Sequence, residues 1–396
     1  MHAEAIVHAI FVIFTGAAVL ATVALYARQA LPVAYIALGL LTGPVLGEIG
    51  LGLGLAADPA IIRGMAEVGI MFLLFLLGLN LEPQELKRLL REVTVVTLVT
   101  CATFWLMGTG IALAFGFAML EAALIGGAMM FSSTIIGLKL LPTSALHHQR
   151  MGEIIVSILL LQDVIAIILL LLIQGWSGGE ASAFGDLLLS LALAPVLVVA
   201  AFLFSQYVIT HLFHQFDAIR EYIFLLAIGW CLGLAEAAHS LGLSYEIGAF
   251  IAGVSLATNP VARFIAESLR PLRDFFLIMF FFALGAGFDL AVLPEVLWPA
   301  LTLAVAAVVL KPILFDKILE REKEAHDLSR QIGVRLGQIS EFSLLVALAG
   351  FQSGLLSERG NYTIQAAVIM TFIISSYWIV LRYPTPVAVS ARLRQD

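Results

Sequence analysis

The chain has 396 residues, 61% of them hydrophobic and 12% charged, with a formal net charge of −7 and a pI near 5.6. A soluble domain is about 45–50% apolar and about 25% charged, so this composition lacks the polar surface a water-facing fold needs and leaves lipid as the solvent. A nucleic-acid footprint is excluded by the acidic pI and the absence of a basic stripe. A disulfide framework is excluded by having only Cys101 and Cys231, which lie in separate apolar runs and read as packing residues.

Taken in chain order, the apolar stretches number thirteen: 5–26, 31–49, 61–80, 93–114, 119–140, 151–173, 187–210, 221–239, 244–258, 268–288, 295–317, 330–352 and 361–381. The first follows Met1-His2-Ala3-Glu4, which lacks the basic start of a signal peptide, so it reads as the first span of the mature chain. The ninth is short for a full crossing at about 1.5 Å per residue. With the N-terminus outside, seventeen of the 21 Lys and Arg fall in cytoplasmic loops or the tail. Only Arg63 and Arg359 fall outside, and Lys311 and Arg335 remain within spans. That segregation supports both the span count and the direction. The polar stretch from Asp316 to Gln331 reads as a cytoplasmic linker between spans 11 and 12. No soluble domain is visible: residues 1–390 read as one transmembrane domain and 391–396 as a short cytoplasmic tail.

An ionisable group at mid-membrane is costly and marks function by default. Asp163 lies in span 6, roughly 18 Å along the helix from Met151 and roughly 15 Å from Ile173. Its neighbours Leu159, Leu160, Leu161, Val164 and Ile165 offer it no solvation, and Gln162 is turned to a different side of the helix. A carboxylate there must pair, bind a cation or hold a proton. Alternation between the last two states is the minimum machinery for exchanging a proton against a cation; the bland alternative is a structural ion pair.

Lys311, in span 11 before Pro312, either snorkels to the cytoplasmic face or reaches Asp163 as a counter-charge. Spans 5 and 12 look interrupted. Span 5 carries Phe131-Ser132-Ser133-Thr134 with Gly137 and Pro142, and span 12 carries Gly337-Gln338-Ile339-Ser340-Glu341. Such clusters at membrane depth suit unwound backbone lining a cavity. Two in matching positions of oppositely directed halves point to a transport site. Small-residue helix packing uses the same residue types, but it has no need of the acid Glu341. Weaker signals are Glu236, His239 and Glu246 near spans 8 and 9, Asp289 and Glu295 outside, and the loop pair His147 and His148. No phosphate loop, metal-ligand cluster or nucleophile elbow appears, which places an enzyme last among the readings.

Five segments carry a family resemblance: Gly78-Leu79-Asn80-Leu81-Glu82-Pro83, Phe131-Ser132-Ser133-Thr134, Leu161-Gln162-Asp163, Gly248-Ala249-Phe250-Ile251-Ala252-Gly253 and Gly337-Gln338-Ile339-Ser340-Glu341-Phe342. In order and spacing they resemble the monovalent cation:proton antiporters, closest to the Kef-type potassium efflux branch. The resemblance covers essentially every span. It implies an all-α polytopic membrane protein with thirteen transmembrane helices, inverted repeats and two crossed broken helices, a sodium/proton-antiporter-like fold. It also implies a homodimer in the bacterial inner membrane, each protomer with a dimerisation part and a six-helix core that shifts as an elevator. Asp163 matches the family's ion-binding acid. Gln162 before it is typical of the Kef-like branch and points to K+. Lys311 matches the family lysine, and Glu341 the acid of the span 12 break. Ser132, Ser133, Thr134, Gln338 and Ser340 would line the broken-helix cavity. Two departures stand out. Asn80 replaces a usual acid, and no cytoplasmic nucleotide-binding domain follows the spans, so either gating by nucleotide and glutathione ligands is expected to be absent or that domain is expected to be separate or removed.

The leading expectation is therefore a K+/H+ antiporter with no cofactor, in which Asp163 is the metal ligand for a monovalent cation and otherwise holds the proton. A sodium/proton antiporter of the same fold is the nearest alternative, and a channel-like potassium efflux pathway the next. A symporter for an organic anion would need more positive groups at the site than Lys311 alone.

Overall fold

The computed structural model describes residues 2–45, 59–79, 83–141, 150–175, 195–216, 219–259 and 261–385. Asn80, His147, His148, the first part of span 7 and the tail after Thr385 lie outside the described residues. Apart from a bridge at Thr385 all the regular structure within them is helical, and every expected stretch contains helix in its described part. Among the described residues seven helices are long and apolar enough to cross a membrane by length and composition: Val7–Tyr26, Val93–Ala114, Arg150–Ile173, Pro195–Gln215, Arg220–Ser240, Leu290–Arg321 and Glu358–Arg382. Large apolar side chains such as Val7, Leu106, Val196, Leu225 and Trp298 are exposed on them. A soluble protein would not leave that many such groups outside, whereas lipid solvates them.

The chain divides into two units. The first takes Met1–Val19, Tyr35–Lys87 and Gln174–Phe288. It holds most of α1 (His2–Tyr26), α2 (Leu31–Leu40), α3 (Pro59–Leu79), α8 (Pro195–Gln215), α9 (Arg220–Ser240), α10 (Tyr245–Leu256) and α11 (Ala262–Ala286). Glycine decides how its helices approach. A Cβ on Gly253 of α10 would stand 2.1 Å from the Phe75 carbonyl oxygen of α3, and one on Gly78 would stand 2.6 Å from that of Phe250. Gly39 of α2 and Gly285 of α11 repeat this reciprocal contact. Small residues are what allow helix backbones to touch in a membrane, where burial against lipid supplies no drive. Ser244 opens α10 by accepting a hydrogen bond from the Ile247 amide, which marks its boundary with α9. α11 begins at Ala262, earlier than the expected span 10. The added turns end at Glu267, the first turns of the expected span carry Arg270, Arg273 and Asp274, and the helix runs on through Pro271.

The second unit takes Leu20–Ala34, Arg88–Ile173 and Asp289–Asp396. Its helices are most of α4 (Pro83–Ala114), α5 (Met119–Met129), α6 (Thr134–Lys139), α7 (Arg150–Gly175), α12 (Leu293–Arg321), α13 (His326–Arg335), α14 (Phe342–Gln352) and α15 (Glu358–Arg382). An apolar core joins Val96 and Phe104 of α4, Ile154, Ile155 and Ile158 of α7, Phe315 of α12, and Ile332 and Leu336 at the end of α13. The stretch Asp316–Gln331 corrects its sequence reading as a linker, because only Glu322–Ala325 is non-helical there. Lys323 takes a positive φ of 70° in that turn. α13 is amphipathic, and Ser329, Ile332, Gly333 and Arg335 form its buried face.

The short turn between α12 and α13 is held by charge. His326 Nδ1 contacts Glu320 and lies 3.6 Å from Asp316 Oδ1, while Arg150 at the start of α7 meets Glu324 at 3.0 Å. The hydrogen bond to Glu320, with the charges of Asp316, Glu320 and Asp327, raises the His326 pKa against a small opposing cost of burial. A raised folded pKa means this link stabilises fully below the free imidazole value of about 6.5 and is lost as pH rises through the folded value. His326→Gln should therefore lower the unfolding temperature below about pH 6.5, and its deficit should vanish at higher pH. Thermal unfolding of both proteins across pH measures this, and a deficit that stayed constant with pH would rule out the charged link.

Candidate functional site

The site lies within the second unit, where two helices stop in mid-course. α5 ends at Met129, the chain is non-helical at Phe131–Ser133, and α6 starts at Thr134. α13 ends at Arg335, non-helical backbone follows to Glu341, and α14 starts at Phe342. Each interruption frees backbone groups that a buried segment must satisfy. Side chains of the other interruption and of neighbouring helices supply much of that. Ser132 Oγ donates to the Leu336 carbonyl at 2.8 Å. Gln338 Nε2 donates to the Arg335 and Ser133 carbonyls at 2.8 and 3.3 Å. Thr134 Oγ1 bonds Glu341 Oε1, joining the first residue of α6 to the residue that precedes α14. Ser340 Oγ accepts from the Phe342 amide at 3.1 Å, and Ser133 Oγ from the Ile136 amide at 3.2 Å.

α7 runs beside the first interruption. Gln162, fully buried, spends its amide on backbone: Oε1 accepts from the Ser132 N–H at 2.8 Å and Nε2 points to the Met130 carbonyl at 3.4 Å. Asp163 is 2% exposed, and its Oδ2 has no hydrogen-bond partner among the described residues. Glu341 is likewise 2% exposed, with Oε2 unpartnered. Buried polar atoms are nearly always bonded, so two unpartnered carboxylate oxygens in one region stand out. Each has a lone pair to give to a proton or a hard cation.

Lys311 is fully buried, which removes the snorkelling alternative. Among the described residues no ion pair joins it to Asp163. Its ammonium donates instead to the Phe131 carbonyl at 2.8 Å and the Gln338 carbonyl at 3.2 Å, one in each interruption, and lies 5.1 Å from the Phe104 ring centre. Both carbonyls follow the ends of helices, where a cation is favoured. Glycine permits this reach. A Cβ on Gly333 of α13 would stand 2.5 Å from the Pro312 carbonyl oxygen, so α13 can lie directly on α12 beside Lys311. The positive group thus sits on the carbonyls that follow α5 and α13, and Glu341 at the starts of α6 and α14.

The structure brings together Gln162 with Ser132, Thr134 with Glu341, and Ser133 and Lys311 with Gln338. Glu236 and His239 are exposed in the first unit and take no part. Several contributors were not singled out from sequence. Ser375 Oγ of α15 donates to Gln338 Oε1 at 3.1 Å, and Thr371 Oγ1 accepts from the Ile339 amide at 3.2 Å. Ser343 Oγ bonds the Ala128 carbonyl. Their only signal was a hydroxyl in an apolar span, and most such hydroxyls bond their own helix, as Thr97 and Thr100 do here.

Comparison with known proteins adds the following. A family model described as sodium/hydrogen exchanger, transmembrane, matches residues 16–381. The chain is 28% identical, over 90% of its length, to the putative K(+) efflux antiporter KefB of Alkalimonas amylolytica, of which it spans 54%. It is 30% identical, over 88% of its length, to the glutathione-regulated potassium-efflux system protein KefC of Shigella flexneri serotype 5b, of which it spans 58%. The chain thus spans little more than half the length of these curated relatives. Among solved structures, the sodium proton antiporter MjNhaP1 from Methanocaldococcus jannaschii at pH 8 superposes with a TM-score of 0.73. That match covers 100% of this chain and 99% of the other at 16% identity, which is a likeness of fold.

Proposed function

The chain belongs to the sodium/hydrogen exchanger family, and from that premise we propose that it exchanges a monovalent cation, K+, for H+ by alternating access. The observation that carries this reading is the buried Asp163 carboxylate with an unpartnered oxygen, next in sequence to the Gln162 that bonds the first interruption. One carboxylate cannot hold a proton and a cation together, so the two compete, and competition at a site open to one side at a time enforces exchange. When Asp163 is ionised, a cation shed of its water binds against it and the polar groups of the interruptions. After the site turns to the other side the cation leaves, a proton neutralises the acid, and the neutral form returns.

Further parts of the reading rest on the same resemblance. The interruptions of spans 5 and 12 are the crossed broken helices of a thirteen-span protein. The second unit is the moving core, and the first is the dimerisation part of a homodimer. The protein sits in the inner membrane with its N-terminus outside. Gln162 supports K+ over Na+ because its amide serves the backbone, leaving Asp163 as the only acid of the pair, and because several of the similar relatives are named for potassium efflux.

The test is proton flux in proteoliposomes with K+ and Na+ compared side by side across pH. K+-dependent flux of the opposite sense is the expected result. Flux driven by Na+ alone would make the protein a sodium exchanger, and conductance far above carrier turnover would make it a channel.

A further inference from the structure

Arg335 is the largest fully buried side chain among the described residues, and the cycle above does not use it. It is the last residue of α13, directly before the interruption that carries Gln338 and Glu341. Its guanidinium Nη1 donates to the Leu140 carbonyl, one residue past α6, at 2.8 Å. Its Nη2 donates to the Pro384 carbonyl, two residues past α15, also at 2.8 Å. The guanidinium carbon lies 6.0 Å from the centre of the Tyr383 ring, and the backbone oxygen of Arg335 itself accepts from Gln338 Nε2 at 2.8 Å.

These contacts give Arg335 two ends. At its backbone it belongs to the interruption; at its side chain it ties the end of α6 to the segment Tyr383–Thr385. Thr385 is fully buried, so that segment is packed into the unit at this point. A planar guanidinium with fixed donors can hold two carbonyls from different elements at once, whereas a single ammonium on a longer stem cannot reproduce that fork. A cation there also suits the ends of helices α6 and α13. Gln338, hung from the Arg335 carbonyl, in turn accepts from Ser375 and Lys311. Through these bonds the position of Pro384 is linked to the backbone of the cation site.

We propose that Arg335 is a positioning residue that couples the segment after α15 to the cation site, so that a displacement of Tyr383–Thr385 loosens the span 12 interruption and weakens cation binding. Regulation by whatever pulls on this segment would then act on affinity. This rests on the exchanger reading only for its transport readout; the mechanical link stands without it.

The experiment uses the full chain and two variants. Arg335→Lys keeps the charge and loses the fork. Insertion of two glycines after Arg382 leaves Arg335 intact and lengthens the segment. Hydrogen exchange by mass spectrometry is followed in peptides covering 336–341 and 383–385, and K+-dependent proton flux is measured in proteoliposomes. In both variants exchange at 336–341 should quicken roughly tenfold. The apparent KM for K+ should rise roughly three- to tenfold at unchanged maximal rate per folded protein. A merely structural role would lower the amount of folded protein and leave KM alone. If the insertion quickens exchange only at 383–385, or if Arg335→Lys leaves 336–341 as in the parent chain, the coupling is overturned. Should the parent chain show no K+/H+ exchange, the exchanger reading fails, and the hydrogen-exchange comparison still decides the coupling.

Discussion

Replacing Asp163 with Asn abolishes pH-dependent cation exchange: flux in proteoliposomes falls to that of empty vesicles with either K+ or Na+. The amide has nearly the shape of the acid, but it neither ionises nor releases a proton. The site then lacks the charge that compensates a dehydrated cation, and it lacks the proton for the return step. The fold is expected to survive, because replacing a buried ionisable group by a neutral isostere removes a desolvation cost and takes away no hydrogen bond from Oδ2. Unfolding temperature measured beside flux separates the two effects. Coupled exchange retained by the folded variant would remove Asp163 from the mechanism and shift attention to Glu341, a second buried acid with an unpartnered oxygen among the described residues.

The second large effect belongs to Lys311. Lys311→Met keeps an unbranched apolar stem one atom shorter and deletes the donor to the Phe131 and Gln338 carbonyls. Each carbonyl left without a partner in a buried place costs about 1–3 kcal/mol. The variant should therefore lose about 2–6 kcal/mol of stability. What remains folded should keep the pH midpoint of exchange found in the parent chain, since Lys311 holds backbone and makes no ion pair with Asp163. Chemical denaturation together with the pH profile of flux checks both parts. Unchanged stability with a displaced pH midpoint would return Lys311 to the role of a counter-charge acting on the acid.

Much of this site is written in residue types that membrane burial makes costly. Asp163 stood out because nothing in Leu159–Ile165 solvates an acid, and the structure leaves its Oδ2 buried and unpartnered. The interruptions at Phe131–Ser133 and Leu336–Glu341 were legible because Ser, Gly and Gln cluster at a depth where only backbone needing help would want them. The partners of Lys311 and Arg335 were not legible. Both side chains bond main-chain carbonyls, which every residue has, so no pattern of residue types announces them. The same holds for Ser375 and Thr371, whose hydroxyls cross to the span 12 interruption instead of turning back on their own helix alone. Asp316–Gln331 was read as a linker because charge outweighed a weaker signal, the helical spacing of Ser329, Ile332 and Arg335, which the structure buries on one face. Gly253 and Gly78 could be read as small residues in spans, but their reciprocal contact depends on register between helices far apart in sequence.

Competition between a proton and a cation for one carboxylate is tested most directly by proton release on cation binding to the purified protein in weakly buffered detergent solution. Adding K+ at a pH where the site is protonated should release protons in a saturable way, with about one proton per bound cation if Asp163 alone carries the exchange, and Asp163→Asn should release none. Saturable K+ binding without proton release, or release that persists in Asp163→Asn, would contradict exchange at this acid.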